Sequence, residues 1–281
     1  MADIIKSVVA KEDDGNVQIT FTIPFAVVKK AQDETVKEFA KDIEVPGFRK
    51  GNAPLDKVAA KIPQNSLIEH SLSHILPSAL AAAIKEHSIK IAVYPKYELI
   101  SADEGKDWQI RAVTCELPEI NLGDYKTKIP GEIRAISIKK EPTREEKEQV
   151  VIKTLVENVK FQIPKILIEQ EVDSRLSNLL SRVEKLGLAL ESYLQSIGKN
   201  PETLRAEYKT QAKEAIALDL ILSRVVETEN LKVDEKEVNE ALKISQASQT
   251  PTANEDPENR KRVLESILKK RKALDFLTNL A

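Results

Sequence analysis

Val45-Pro46-Gly47-Phe48-Arg49-Lys50-Gly51-Asn52-Ala53-Pro54 places two prolines, two glycines, one aromatic ring and two cations within ten residues. Pro46 fixes its own φ, Gly47 and Gly51 admit the positive φ that tight reversals need, and Pro54 can open a helix. The stretch therefore reads as a stiff loop that projects outward. Between the glycines, Phe48 sets a flat apolar ring beside Arg49 and Lys50, a combination suited to gripping phosphate and an apolar dimple together. The alternative is a solvated loop whose ring folds back onto its own core. The first is an anchoring chemistry, not a catalytic one.

On the N-terminal side of the loop, residues 16–23 alternate, with Val17, Ile19, Phe21 and Ile23 on one side and Gln18, Thr20 and Thr22 on the other. That is the pattern of a half-buried strand, and Pro24 ends it. Val28, Ala31, Val36, Phe39, Ala40 and Ile43 then recur at helical spacing and predict a helix that delivers the chain to the loop. On the other side, a brief helix runs to Lys61, Pro63 breaks it, and Asn65 to His87 forms a longer one that Pro77 should kink or divide. Strands are expected at Ile89 to Val93 continuing through Tyr97 to Ile100, and at Trp108 to Leu117, making a small antiparallel sheet with the first. Residues 118–142 are rich in proline and glycine and read as a linker.

The remainder is helical in pattern. Thr143 and Glu146 have capping-box spacing, and Pro164 opens a helix to Leu186 that Gly187 can close. Asn200-Pro201 starts another that ends near Glu229, an arm of about 40 Å at roughly 1.5 Å per residue. Asp234 and Glu237 cap a shorter helix to about Ile244, and residues 245–255 are polar and expected to be mobile. Asp256-Pro257 opens a final helix with Val263, Ile267, Lys270, Leu274 and Leu277 on one side.

Composition bounds the chemistry. The chain has 281 residues, 31% of them charged and only 4% aromatic, so its cores must rest on aliphatic packing. Forty-three basic residues against 45 acidic leave a net charge of −2, which argues against a general nucleic-acid coat; contact with nucleic acid should be local. The one cysteine, Cys115, excludes an internal disulfide framework and suits a reducing compartment. No leader-like start and no long apolar run is evident, so a soluble cytoplasmic protein without a membrane partner is expected. His70 and His74 have the spacing at which two imidazoles share a metal, but no third local ligand accompanies them, so neither metal nor cofactor is expected. No Gly-x-Ser-x-Gly, Walker loop, His-Glu-x-x-His or dinucleotide fingerprint occurs, and no catalytic residue is assigned.

Gly47-Phe48-Arg49-Lys50-Gly51-Asn52-Ala53-Pro54 resembles the ribosome-docking signature of the trigger factor family, Gly-Phe-Arg-any-Gly-any-any-Pro, at every fixed position. The similarity is clearest over residues 17–125, takes in Leu122-Gly123-Asp124-Tyr125, and continues more weakly at Ile163-Pro164 and Ile168-Glu169-Gln170-Glu171. The resemblance implies an α+β fold. Residues 1–118 would be a ribosome-binding domain built on a small antiparallel sheet, 119–142 a linker, and 143–281 an all-α chaperone domain with long arms. It implies ribosome binding through Gly47, Phe48, Arg49, Lys50, Gly51 and Pro54, with an exit-tunnel protein and nearby ribosomal RNA as partners. Nascent and unfolded polypeptides would be held without ATP, on residues left unassigned; the oligomeric state stays open, a weak homodimer included.

The departure from the family is its prolyl-isomerase module. Lys126 to Pro142 is only 17 residues, whereas a domain needs at least about 50. That module's pocket is lined with aromatics, and from Thr143 onward only Phe161, Tyr193, Tyr208 and Phe276 occur. The expectation is a chaperone without enzyme activity. A helical scaffold or a holdase that ignores ribosomes is the first alternative, a residual isomerase the second.

Overall fold

The alternating stretch at 16–23 forms β2 (Asn16–Ile23) of a four-stranded sheet, in a computed structural model that describes residues 4–137, 141–248 and 256–280. Its partners are β1 (Lys6–Lys11), β3 (Lys96–Ser101) and β4 (Trp108–Cys115), all antiparallel, in the order β1-β2-β4-β3. Register sets Ile19 opposite Ala112 and Phe21 opposite Ile110, so the apolar sides of β2 and β4 coincide. Two helices cover that side. From α1 (Phe25–Phe39) come Val28 and Ala31; from α3 (Gln64–His87) come Ile75, Leu76, Ala79, Leu80 and Ala83. Between them, α2 (Leu55–Ala59) adds Val58 to a second small core with Val36, Ala40, Val45 and Ile62.

Pro77 does not divide α3, which runs unbroken past it. Both Pro77 and Ser73, whose carbonyl loses its donor there, lie on the exposed side, where water can supply the missing bond. Among the described residues α3 is also the one helix long and apolar enough to cross a membrane by length and composition. Its apolar side is committed to the sheet.

Two strand readings change. β1 was not anticipated: Val8 is 69% exposed, so the apolar alternation is faint, and the usable signal was the turn at Asp14-Gly15. Gly15 there takes φ 88 and donates to the Glu12 carbonyl at 3.0 Å. Residues 89–93 are not a strand; Ile91 makes only an isolated bridge to Glu116.

The chain divides into two compact units, 1–117 with 164–166 and 118–163 with 167–281. The second holds α4 (Tyr125–Ser137), α5 (Arg144–Asn158), most of α6 (Lys165–Lys185), α7 (Leu190–Ser196), α8 (Pro201–Thr228), α9 (Glu235–Ser248) and α10 (Pro257–Thr278). Helix α4 occupies the stretch expected to be a linker at 119–142, and corrects that expectation. Leu122, Tyr125, Ile129 and Ile133 recur three and four apart and are buried with Val151 and Leu155 of α5, Ile221 and Val225 of α8, and Leu274 and Leu277 of α10. That burial outweighs Pro130 and Gly131 inside the helix.

Caps fix the other helices. The Thr143 amide donates to Glu146 Oε2 at 2.7 Å and the Glu146 amide to Thr143 Oγ1 at 3.2 Å, closing the expected box. Asn200 and Thr203 form a second box on α8. Gly187, at φ 69, stops α6: its amide reaches the Glu184 carbonyl at 2.9 Å and the Leu188 amide reaches Val183 at 3.1 Å. Beyond it α7 was not anticipated. Helix α9 continues past Ile244 to Ser248, and the rest of the stretch expected to be mobile, residues 249–255, lies outside the described residues. On α10 only the later part of the expected side is covered, since Leu274 and Leu277 are buried while Val263 and Ile267 are exposed.

If α4 is core, Ile129→Ala should lower the unfolding free energy by about 3 kcal/mol in urea titrations. A loss under about 0.5 kcal/mol, the range of surface changes, would return this helix to linker status.

Candidate functional site

Residues 45–54 leave the second small core at Val45 and return to it through α2, so both feet of the loop are anchored. Between the feet the backbone makes two consecutive reverse turns. The Phe48 amide donates to the Val45 carbonyl at 3.0 Å, and the Asn52 amide to the Arg49 carbonyl at 2.9 Å. Gly47 at φ 86 and Gly51 at φ 87 hold the third position of each turn, the type II arrangement that asks for glycine there. A Cβ at either glycine would meet nothing within 4 Å, so the demand is conformational and not steric. Pro46 supplies the preset φ at the second position of the first turn, and Pro54 sits at the N-cap of α2.

Residues 46–52 are all exposed, and Phe48 keeps 45% of its surface open, outside every core cluster. The ring does not fold back onto the core. Arg49 pairs with no carboxylate among the described residues, whereas Lys50 Nζ lies 3.4 Å from Asp42 Oδ1. The loop thus brings Phe48, Arg49 and Lys50 together on its outer side, with Gly47, Gly51 and Pro54 as its frame. Sequence reading passed over Asp42, and Leu55, exposed at the start of α2 beside the frame.

In the helical unit the reading left binding residues unassigned, and the structure exposes a set of aliphatic side chains. Leu186 is 72% exposed, and Leu180, Leu188, Leu190 and Ile197, near it in sequence, are exposed too. Their signal was Leu186-Gly187-Leu188-Ala189-Leu190: a glycine that ends a helix inside a leucine-rich run takes those leucines off the buried stripe.

The remaining candidates are accounted for by packing. His70 meets Phe39 edge-on at 4.7 Å between ring centroids, while His74 Nε2 lies 3.2 Å from Glu38 Oε2. Burial, with the nearby Asp14 charge, pushes the Cys115 thiol up to about 11, so it is an inert side chain of β4. A shallow depression of about 340 Å³ is lined by Ile136, Pro142, Glu146, Gln149, Val150 and Lys153, with no aromatic ring among them.

Comparison with known proteins finds one family over residues 5–279. A family model described as "Bacterial trigger factor protein (TF)" matches residues 5–151, and one for the "Bacterial trigger factor protein (TF) C-terminus" matches 121–279. Trigger factors of Streptococcus agalactiae serotype Ia and Streptococcus uberis are 39% and 40% identical over 108 residues, which is 38% of this chain and 25% of each of theirs. The matched region is thus a quarter of those relatives' length. A solved structure concerning promiscuous substrate recognition by the trigger factor chaperone shares the fold, with a TM-score of 0.64 over 98% of this chain and 100% of its own at 14% identity.

The paired turns make a prediction of their own. Replacing Gly47 and Gly51 together by alanine should cost the loop about 2 to 4 kcal/mol in left-handed strain. The amides of Phe48 and Asn52 should then exchange faster, with Ile19 and Ile110 unchanged; undiminished protection at Phe48 and Asn52 would contradict the turn geometry.

Proposed function

The chain belongs to the trigger factor family, and from that premise we propose that it is an ATP-independent chaperone that docks beside the ribosomal exit tunnel and holds nascent or unfolded polypeptides. The observation that carries the reading is the loop of paired turns, which presents Phe48, Arg49 and Lys50 outward on a fixed frame. Arg49, paired with no carboxylate among the described residues, would fork onto a ribosomal RNA phosphate, Lys50 would add a second cation, and Phe48 would enter an apolar dimple on an exit-site protein. Two or three phosphate contacts give a log-log salt slope near −0.7 to −0.9 per contact, so the grip loosens readily as salt rises.

The exposed leucines around the end of α6 and on α7 are the surface on which an unfolded segment sheds water from its own side chains. Burying about 200 Å² at roughly 25 cal/mol/Å² yields around 5 kcal/mol before ordering costs, enough for weak capture. Release follows when the client buries its own apolar surface, and no nucleotide enters the cycle. Holding nascent chains beside the ribosome would place the protein in the cytoplasm. We assign no isomerase to the described residues, because the stretch between the sheet and α5 is spent on α4 and its core contacts.

Co-sedimentation with ribosomes at low salt tests the docking loop. Arg49→Ala and Phe48→Ala should each weaken binding about tenfold or more, the loss typical of a buried anchor; binding indifferent to both replacements leaves a helical scaffold as the better reading. Holding has a separate test. Leu186→Ser with Leu188→Ser should lower suppression of client aggregation without changing ribosome affinity, and full suppression by that variant would remove the leucines from the client surface.

A further inference from the structure

The two cations of the loop are not equivalent. Arg49 pairs with no carboxylate among the described residues, while Lys50 lies 3.4 Å from the Asp42 carboxylate. Asp42 is placed by its backbone, which donates to the Phe39 carbonyl at 3.0 Å in the turn that closes α1. Its side chain is 84% exposed and that of Lys50 54%, so the pair is open to solvent and the fold does not depend on it. To reach a phosphate, Lys50 must leave one anion for another. It gains less than a hydrated ammonium gains, and Asp42 is left facing the phosphodiester.

We propose that Asp42 is an internal competitor for the RNA phosphate at Lys50, which holds the docking loop below its attainable affinity and keeps the association short-lived. This rests on the docking function above and adds its regulation. The competitor acts through charge alone, so the isosteric Asp42→Asn removes it while keeping the shape. An exposed ion pair is a weak device, and its removal is worth about a threefold change in equilibrium constant. The effect fades as salt rises and the Debye length falls to about 10 Å at 0.1 M and 3 Å at 1 M.

The test is a four-way comparison of ribosome affinity at low ionic strength for the full chain, D42N, K50Q and the double variant. Competition predicts that D42N binds about threefold tighter, that K50Q binds more weakly, and that the gain from D42N vanishes once Lys50 is gone. An equal gain with and without Lys50 means that Asp42 merely repels RNA, and overturns the competitor. So does no gain in either background; if R49A still loosens binding, docking itself survives. Wild-type chain that ignores ribosomes overturns docking and competitor together. Because Asp42 and Lys50 are both exposed, unchanged melting curves are expected for all four proteins.

Discussion

Val17, Ile19, Phe21 and Ile23 of one strand have no solvent contact at all, and the position of the exposed loop follows from where they are buried. β2 is an inner strand, paired on both edges, and its apolar side lies under α1 and α3. Because α1 starts at Phe25, directly after Pro24 ends the strand, the direction of the helix is set by the strand's own packing. The loop then inherits that direction at its first foot, while Val45 and Val58 tie its two sides to one small core. For the docking proposed above, a loop with both ends in a core loses little further conformational freedom on binding, and that saving would appear directly in affinity.

The helical unit solves a different problem with the same aliphatic alphabet. With 4% aromatic residues overall, its core is made from Ile, Leu, Val and Ala on four helices, α4, α5, α8 and α10, and Tyr125 is the ring among its fully enclosed members. The phenol of Tyr125 donates to Glu229 at the end of α8, which Lys126 Nζ also meets at 2.8 Å. Burial and then the Glu229 bond push the phenol well above its usual range, and the Lys126 and Tyr125 bonds hold Glu229 below the usual carboxylate range. A neutral donor and a cation converging on one carboxylate pin the first turn of α4 to the close of α8. The helix with a proline inside it is thereby fastened at the end where its own hydrogen bonding is weakest.

What the sequence showed and what it hid separate along a physical line. Signals that depend on a few neighbouring residues were readable: the alternation of β2, the box at Thr143, the helix start at Asn200-Pro201, the glycine stop at 187, and the turn residues Pro46, Gly47 and Gly51. Features decided by partners distant in the chain were not. β1 is an edge strand with no local signal beyond the turn that follows it and is fixed by its pairing to β2, and α4 is helical because Ile129 and Ile133 are wanted by three other helices. Proline and glycine at 130 and 131 argued locally for a linker, and burial overruled them. The same division runs through the loop. Its shape was legible, but the partnership of Lys50 with Asp42 crosses from the end of α1 to the second turn, and neither residue's neighbours announce it.

On the function proposed above, a chaperone that spends no nucleotide has nothing with which to force a tightly held partner off, so both proposed grips have to be weak by construction. The arrangement of side chains meets that demand in two ways. At the loop, the cations are few, exposed and in one case already engaged, which places them among surface charges, where a pair contributes about 1 kcal/mol or less. Around α7, the exposed leucines are interrupted along the sequence by Glu184, Lys185, Glu191 and Gln195, so on the proposed reading a client chain meets separate aliphatic contacts. Full burial of one leucine is worth roughly 1.5–3 kcal/mol, and partial burial of two or three yields a few kcal/mol, comparable with the cost of ordering the client. A segment with its own core to form gains more by folding than by staying, since folding buries all of its apolar side chains at once. On that proposed cycle, charged residues between the leucines favour release: they keep capture shallow enough that the client's own collapse wins.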